Sequence, residues 1–265
     1  MSMLDASVFD TKGWCHGASG LDDTVVAGVA TAAVELWRTH VDNASTHTPQ
    51  LLQWTSLWQR APAFSSTTLW SWVAQVACRL LGCEQAQLLQ DVLLVKEAGC
   101  AAPLVAHRDH AYVDVLPSTS WLTVRLALTP STPEMGSMQV TPGSHRWASS
   151  RATMTSRTLH DAMGPSAELE LCDAERAAYA STTTAMHLQV GDATVHHPLV
   201  LHGSGPNQTT TTRMTYVARV ADASAVVDLS AHPVAMRPSL RKAFPSTLSG
   251  HLHPRMFPLL PSSTH

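Results

Sequence analysis

The stretch VAHRDHAYV, residues 105–113, sets an imidazole and a carboxylate two positions apart, at His107 and Asp109. In an extended segment, positions i and i+2 point to the same face. The spacing therefore predicts two ligands that approach one metal ion from one side. A third ligand has to come from elsewhere, and HGSGPN, residues 202–207, supplies His202. Two histidines and one carboxylate form the facial ligand set of non-haem iron sites. On its own H-x-D is a weak signal, since surface and core histidines produce it by chance. Its weight depends on the chain around it.

Working outward, the hydrophobic period changes between the two halves of the chain. Val25, Val26, Val29, Ala32, Ala33, Leu36 and Trp37 recur at three and four, a helix capped by Asp22 or Asp23 and running to about His40. Leu69, Trp72, Val73, Val76, Ala77, Leu80 and Leu81 make a second stripe over 66–81, with Ser66 or Thr67 as cap and Gly82 as stop. Residues 1–20 read as irregular and 41–52 as a loop. From 91 onward the period is two: 91–96, 121–128, 137–141, 186–190, 193–196 and 213–220 read as strands. Residues 146–184 break this rhythm as a Ser-, Thr- and Ala-rich insertion with one short helix near 173–180. The tail, 230–265, has little periodicity. Helices followed by many short strands predict a mainly β protein with flanking α-helices, packed as a sandwich or jelly roll. We expect one domain over 1–265, with N-terminal helices at about 21–82, a β core at about 90–220 and an irregular tail.

Composition narrows the function classes. Hydrophobic residues make up 45% of the 265, ample for a core, and charged residues only 14%. The net charge of -3 and the lack of a basic run give no surface for nucleic acid or an anionic membrane. Five cysteines without a C-x-x-C read as reduced, buried thiols. No basic-then-apolar leader opens the chain and no run of about 18 apolar residues occurs, so the expectation is a soluble, cytoplasmic protein.

Further motifs fall in a telling order. HRDHAY spans 107–112, GSMQVTPGSHR spans 136–146, and Gly191-Asp192, Pro198-Leu199, HGSGPN and Arg213 follow. Together with 9–37 and 69–99 they make most of the chain resemble the phytanoyl-CoA dioxygenase family of Fe(II)/2-oxoglutarate oxygenases. The resemblance implies a double-stranded β-helix, or jelly roll of cupin-like form, in which His107, Asp109 and His202 bind Fe(II). It implies 2-oxoglutarate as cosubstrate, with O2 as oxidant and ascorbate as support. Arg213 would pair with the distal carboxylate of 2-oxoglutarate, which suits a planar guanidinium. Ser204 would donate to the same carboxylate, and Val92 falls on the strand that lines that pocket. The implied reaction hydroxylates an aliphatic C–H of a small-molecule or acyl substrate and releases succinate and CO2. Related halogenases lack the carboxylate that Asp109 provides, which favours hydroxylation.

One position departs from the family pattern. Arg125 stands where relatives carry Trp. It could bind 2-oxoglutarate, pair with Asp114 or another acid, select an anionic substrate, or end a strand in solvent. Lys96 is open between the site and an exposed strand end. Tyr112 and Trp121 are candidate pocket residues, as are Trp54 and Trp58. His145 in the PGSH turn reads as structural; His196 and His197 read as neighbours of the ligands or as surface residues. Two other readings remain: a catalytically altered metal-binding or sensor domain on this fold, and a cupin-like metalloenzyme that does not use 2-oxoglutarate.

Overall fold

The alternating segments pair into two antiparallel sheets, seen in a computed structural model that describes residues 4–112, 117–151, 171–228, 249–251 and 257–261. In chain order the elements are α1 (Ala6–Lys12), β1 (Trp14–Ala18), α2 (Asp23–Asp42), β2 (Leu51–Thr55), α3 (Thr67–Leu81), β3 (Ala86–Lys96), β4 (Leu104–His107), β5 (Trp121–Ala127), β6 (Met138–Val140), α4 (Asp173–Thr182), β7 (Thr184–Ala185), β8 (Asp192–His196), β9 (His202–Ser204) and β10 (Arg213–Asp222). A further pair, β11 (Val226–Asp228) and β12 (Ser249–His251), lies beyond them. The major sheet runs β1-β8-β5-β10-β3-β2 and the minor sheet β4-β9-β6-β7. This is the expected jelly roll, mainly β with flanking helices.

Register divides the major sheet into two faces. Val217 pairs with Val92 on one side and Arg125 on the other, and Arg125 with Thr194. These residues point toward the minor sheet. Their chain neighbours, among them Leu93, Val95, Val124, Leu126, Val195 and Tyr216, point outward into the main core with Val29, Leu69, Val73 and Ala77 of α2 and α3. Each fully buried Leu or Val there contributes about 1.5–3 kcal/mol.

Both long helices end as their sequences predict. The Asp22 carboxylate caps α2 at Thr24 N, and the Ser66 hydroxyl caps α3. Gly82 closes α3 in the left-handed region at φ 68, which costs glycine nothing.

Several expectations need correction. Residues 6–12 and 14–18 are a helix and an edge strand, where an irregular start was expected. Leu51–Thr55 is a strand beside β3, although its flanks are loop-like. No strand covers 186–190; Leu188 makes an isolated bridge to Ser131 instead. Trp54 and Trp58 pack against the helix-side core, not around a pocket between the sheets. The thiols are free, but only Cys15 and Cys100 are buried, and Cys172 is exposed. The expected helix near 173–180 is α4, while most of 146–172 and of the tail falls outside the described residues.

Candidate metal centre

Pairing between β4 and β9 builds the centre. Leu104 faces Ser204 and His107 faces His202, so Val105 and Ala106 oppose Gly203 alone. This bulge turns the end of β4 inward. It demands glycine at 203, where a Cβ would meet Leu104 O at 2.8 Å and Ala106 Cα at 3.1 Å. Asp109 is not on a continued strand, as the i, i+2 argument assumed: it opens a 3-10 helix, Asp109–Tyr112. The end of the strand and the turn together achieve what an extended segment was expected to do.

His107, Asp109 and His202 are all buried, and their ligand atoms lie within 4.8 Å of one another. The rings of His107 and His202 are 4.3 Å apart. Asp109 Oδ1 stands 3.9 Å from His107 Nε2 and 4.0 Å from His202 Nε2. Each histidine spends Nδ1 on a backbone carbonyl two residues back, Val105 O at 2.8 Å and Val200 O at 3.0 Å. A carbonyl only accepts, so Nδ1 carries the proton and the Nε2 lone pair is presented to the shared space. Burial pushes both imidazoles toward the neutral form, the protonation state that binds metal. The donor set fits a first-row divalent ion such as Fe(II).

Asp109 is held by three strands of the major sheet. Its Oδ2 accepts from Thr123 Oγ1 at 2.7 Å and from His196 Nε2 at 3.1 Å, and its Oδ1 from Arg219 Nη2 at 2.9 Å. Gln90 Oε1 accepts the other end of Arg219 at 2.7 Å. Burial would raise this carboxyl, but the Arg219 guanidinium and the His196 bond outweigh it and keep it well below the usual range. His196, expected beside the ligands or at the surface, is fully buried beside one. Arg219 was not anticipated, although alternation along 213–220 already puts it on the face of Arg213.

Next to the triad, the inner face gathers buried cations. Lys96 Nζ donates to Ser204 Oγ at 2.7 Å and to Gly205 O. Gly136 makes room for its stem, since a Cβ there would meet Lys96 Cδ at 2.9 Å. Arg213 Nη1 reaches Thr215 Oγ1 at 3.3 Å, while its buried Nε has no hydrogen-bond partner among the described residues. Arg125 is 8% exposed, and its Nη1 contacts Met138 Sδ at 3.3 Å. The solvent-exposed alternatives for Lys96 and Arg125 are thereby excluded. Burial, then Arg213, brings the Lys96 ammonium down to about 7. Burial, then Arg125, brings Arg213 down to about 9, and burial brings Arg125 to about 10. Among the described residues no carboxylate bonds to Lys96, Arg125 or Arg213, and the chemistry of this cluster fits a dicarboxylate such as 2-oxoglutarate.

The remaining candidates divide. Val92 is buried on this inner face, and Trp121 is fully buried at the start of β5. The Tyr112 side chain and Asp114 lie outside the described residues. His145 contacts Asp10 O at 3.2 Å, away from the triad, consistent with a structural turn.

A jelly roll with this triad and cationic wall defines a non-haem iron, 2-oxoglutarate-dependent oxygenase-type enzyme. Residues 25–215 match the phytanoyl-CoA dioxygenase (PhyH) family, and the chain belongs to it. No curated protein matches the chain in sequence. Among solved structures, the epimerase SnoN from nogalamycin biosynthesis, in complex with Fe3+, alpha ketoglutarate and nogalamycin RO, is similar at TM-score 0.73 and 22% identity, covering 97% of each chain. The carbocyclase SnoK of the same biosynthesis superposes at TM-score 0.72 with 24% identity, over 97% of this chain and 95% of that one. EctD from S. alaskensis gives 0.64 and 19%, over 84% and 78%. Iron and 2-oxoglutarate, the expected cofactor pair, stand with the family and the triad.

Proposed function

We propose that this protein hydroxylates an aliphatic C–H bond of a small-molecule or acyl substrate, with conversion of 2-oxoglutarate and O2 to succinate and CO2. The observation that carries the reading is the buried His107–Asp109–His202 group beside the buried cations Lys96, Arg125 and Arg213. When bound, iron and 2-oxoglutarate together supply the oxidising chemistry that an unactivated C–H requires.

The chain's own residues do the positioning. His107, Asp109 and His202 hold the metal through Nε2, Oδ1 and Nε2. Arg213 grips the distal carboxylate of the cosubstrate, with Ser204 Oγ and Lys96 Nζ as further donors. Arg125 takes the carboxylate nearer the metal, an anion that its buried guanidinium does not find among the described residues. Val92 keeps that end of the pocket dry, so each charge-assisted bond is made in a medium of low dielectric, and Trp121, on the far side of Thr123 along β5, walls the substrate side. Thr123, His196 and Arg219 keep Asp109 ionised and aimed.

The test supplies purified protein with Fe(II), ascorbate, O2 and 2-oxoglutarate, and measures succinate for wild type and His107→Ala. Succinate from wild type that is absent from the variant supports the reading. If neither Fe(II) nor 2-oxoglutarate binds the wild type, the reading fails and a retired form of this fold takes its place; a catalytically altered metal-binding domain would bind Fe(II) yet form no succinate. Binding of metal without 2-oxoglutarate would favour the cupin-like alternative. Once a substrate is found, 18O2 labelling decides the outcome: hydroxylation places one labelled oxygen in the product, whereas epimerisation and carbocyclisation place none.

A further inference from the structure

The segment that delivers His202 is laced to the one that carries His107 and Asp109. Three successive carbonyls, those of Pro198, Leu199 and Val200, accept hydrogen bonds at 3.0 Å from His110 N, Arg108 Nε and His202 Nδ1 respectively. Two of the three donors belong to residues on either side of Asp109. Arg108 is 4% exposed, and its side chain continues beyond Leu199. Its Nη2 donates to Ser149 Oγ at 3.1 Å. Ser149 N in turn donates to Glu175 Oε1 at 3.1 Å, and Cys172 N to Glu175 Oε2 at 3.3 Å. Glu175 lies in the first turn of α4 and is itself buried.

Nε and Nη2 of a guanidinium are fixed in one plane and at one angle. A side chain that bonds Leu199 O with the first and Ser149 Oγ with the second therefore sets the distance between those acceptors. The turn at 197–201 is tied on its far flanks by His197 N to Gly13 O and Leu201 N to Ser144 Oγ, at 2.8 Å each; Arg108 Nε and His110 N tie it to the segment that carries His107 and Asp109, and it ends on a ligand.

We propose that Arg108 is a positioning residue of the metal centre. It fixes the spacing between the two ligand-bearing segments and, through Ser149 and Glu175, makes metal affinity depend on the seating of α4. This rests on the reading of His107, Asp109 and His202 as metal ligands. Without the guanidinium, Leu199 O loses its donor, the turn relaxes, and His202 Nε2 leaves its place. Groups that orient ligands from behind typically govern 10–100-fold in metal affinity. A lysine reaches one of the two acceptors, not both.

The test titrates the full-length protein with Co(II), a redox-stable probe, and follows heat and visible absorption. Arg108→Met is expected to bind Co(II) about 10–100-fold more weakly, with an altered absorption band. Arg108→Lys should recover only part of the loss. Glu175→Gln should weaken binding by a smaller factor, and combined with Arg108→Met it should add nothing, because it acts through Arg108. A merely structural role predicts a lower Tm with wild-type Co(II) affinity and spectrum, and that result overturns the proposal. If Arg108→Met does not fold, Glu175→Gln carries the test, and wild-type affinity in that variant overturns it equally. Failure of the wild-type protein to bind Co(II) would strike at the metal-site reading itself, which keeps the two failures apart.

Discussion

The two faces of β10 are one residue out of step and do opposite work. Met214, Tyr216, Ala218 and Val220 face the helices and meet other apolar side chains. Arg213, Thr215 and Arg219 face the minor sheet and meet a carboxylate, hydroxyls and other cations. The outer face also buries one acid, Asp91, but the amides of Leu57 and Trp58 satisfy it at 2.7 Å each. Among the described residues, the group that this face of β10 leaves without a hydrogen-bond partner is the uncharged Tyr216 hydroxyl. The inner face holds Lys96, Arg125 and Arg213 without a carboxylate partner among the described residues, and buried cations without anions cost several kcal/mol each. What it lacks is what a metal and a dicarboxylate bring.

Substitutions on the two faces should therefore separate stability from function. Leu93→Ala is expected to lower stability by about 2–5 kcal/mol through its cavity and to leave metal affinity in the folded protein unchanged. His107→Ala should do the reverse: succinate formation falls to background while Tm moves far less. Thermal melts paired with Co(II) titration check both, and a Leu93→Ala protein that is folded yet unable to bind metal would break the division.

Arg213 sharpens the comparison, because its two effects should have opposite signs. Charge-assisted bonds contribute about 1.5–3 kcal/mol, so Arg213→Met should raise the KM for 2-oxoglutarate about 10–150-fold. Replacing a buried charge by an apolar group of similar volume also removes that charge's desolvation cost of several kcal/mol. The Tm of the cosubstrate-free variant should then match or exceed that of wild type. A lower Tm with an unchanged KM would make Arg213 a structural residue.

The outer face was legible in the sequence and the inner face only in part. The stripes of α2 and α3 and the caps Asp22, Ser66 and Gly82 follow from local rules, and local rules hold where one face meets one core. His107, Asp109, His202 and Arg213 were found because their spacing is a family pattern. Arg108 and Arg219 carried no such pattern. Arg108 acts through a carbonyl 91 positions away, a separation that no window of sequence spans. Arg219 was within reach, since strand parity from Arg213 points to it, but parity alone does not say which of two faces holds the chemistry. Leu51–Thr55 was missed because its partner strand decides it: Leu52 and Trp54 become core residues only once β3 lies alongside.

Lys96 carries the proton balance of the inner face. Burial and Arg213 lower its ammonium from 10.5 to about 7. Between those values the unfolded chain holds a proton that the folded, cosubstrate-free protein has released, so stability should rise with pH, by up to about 1.4 kcal/mol per pH unit. Denaturant melts from pH 7 to pH 9 would show the rise, and Lys96→Met should flatten it. The same balance predicts that 2-oxoglutarate takes up a proton as it binds above pH 7, because its carboxylate restores the ammonium. Calorimetry in two buffers of different ionisation heat reads that proton directly.

Ser204 bounds the effect from below. Its hydroxyl accepts from Lys96 and is uncharged, so Ser204→Ala removes about 0.5–1.5 kcal/mol, and the KM for 2-oxoglutarate should rise about 2–12-fold. The buffer-dependent heat should persist in this variant, since burial and Arg213, not the hydroxyl, set the ammonium's titration. If Ser204→Ala abolished the proton uptake instead, the inner face would owe its proton balance to one hydrogen bond rather than to its crowd of cations. The contrast between an apolar outer face and a cation-rich inner one would then have to be redrawn around Lys96 and Ser204 alone.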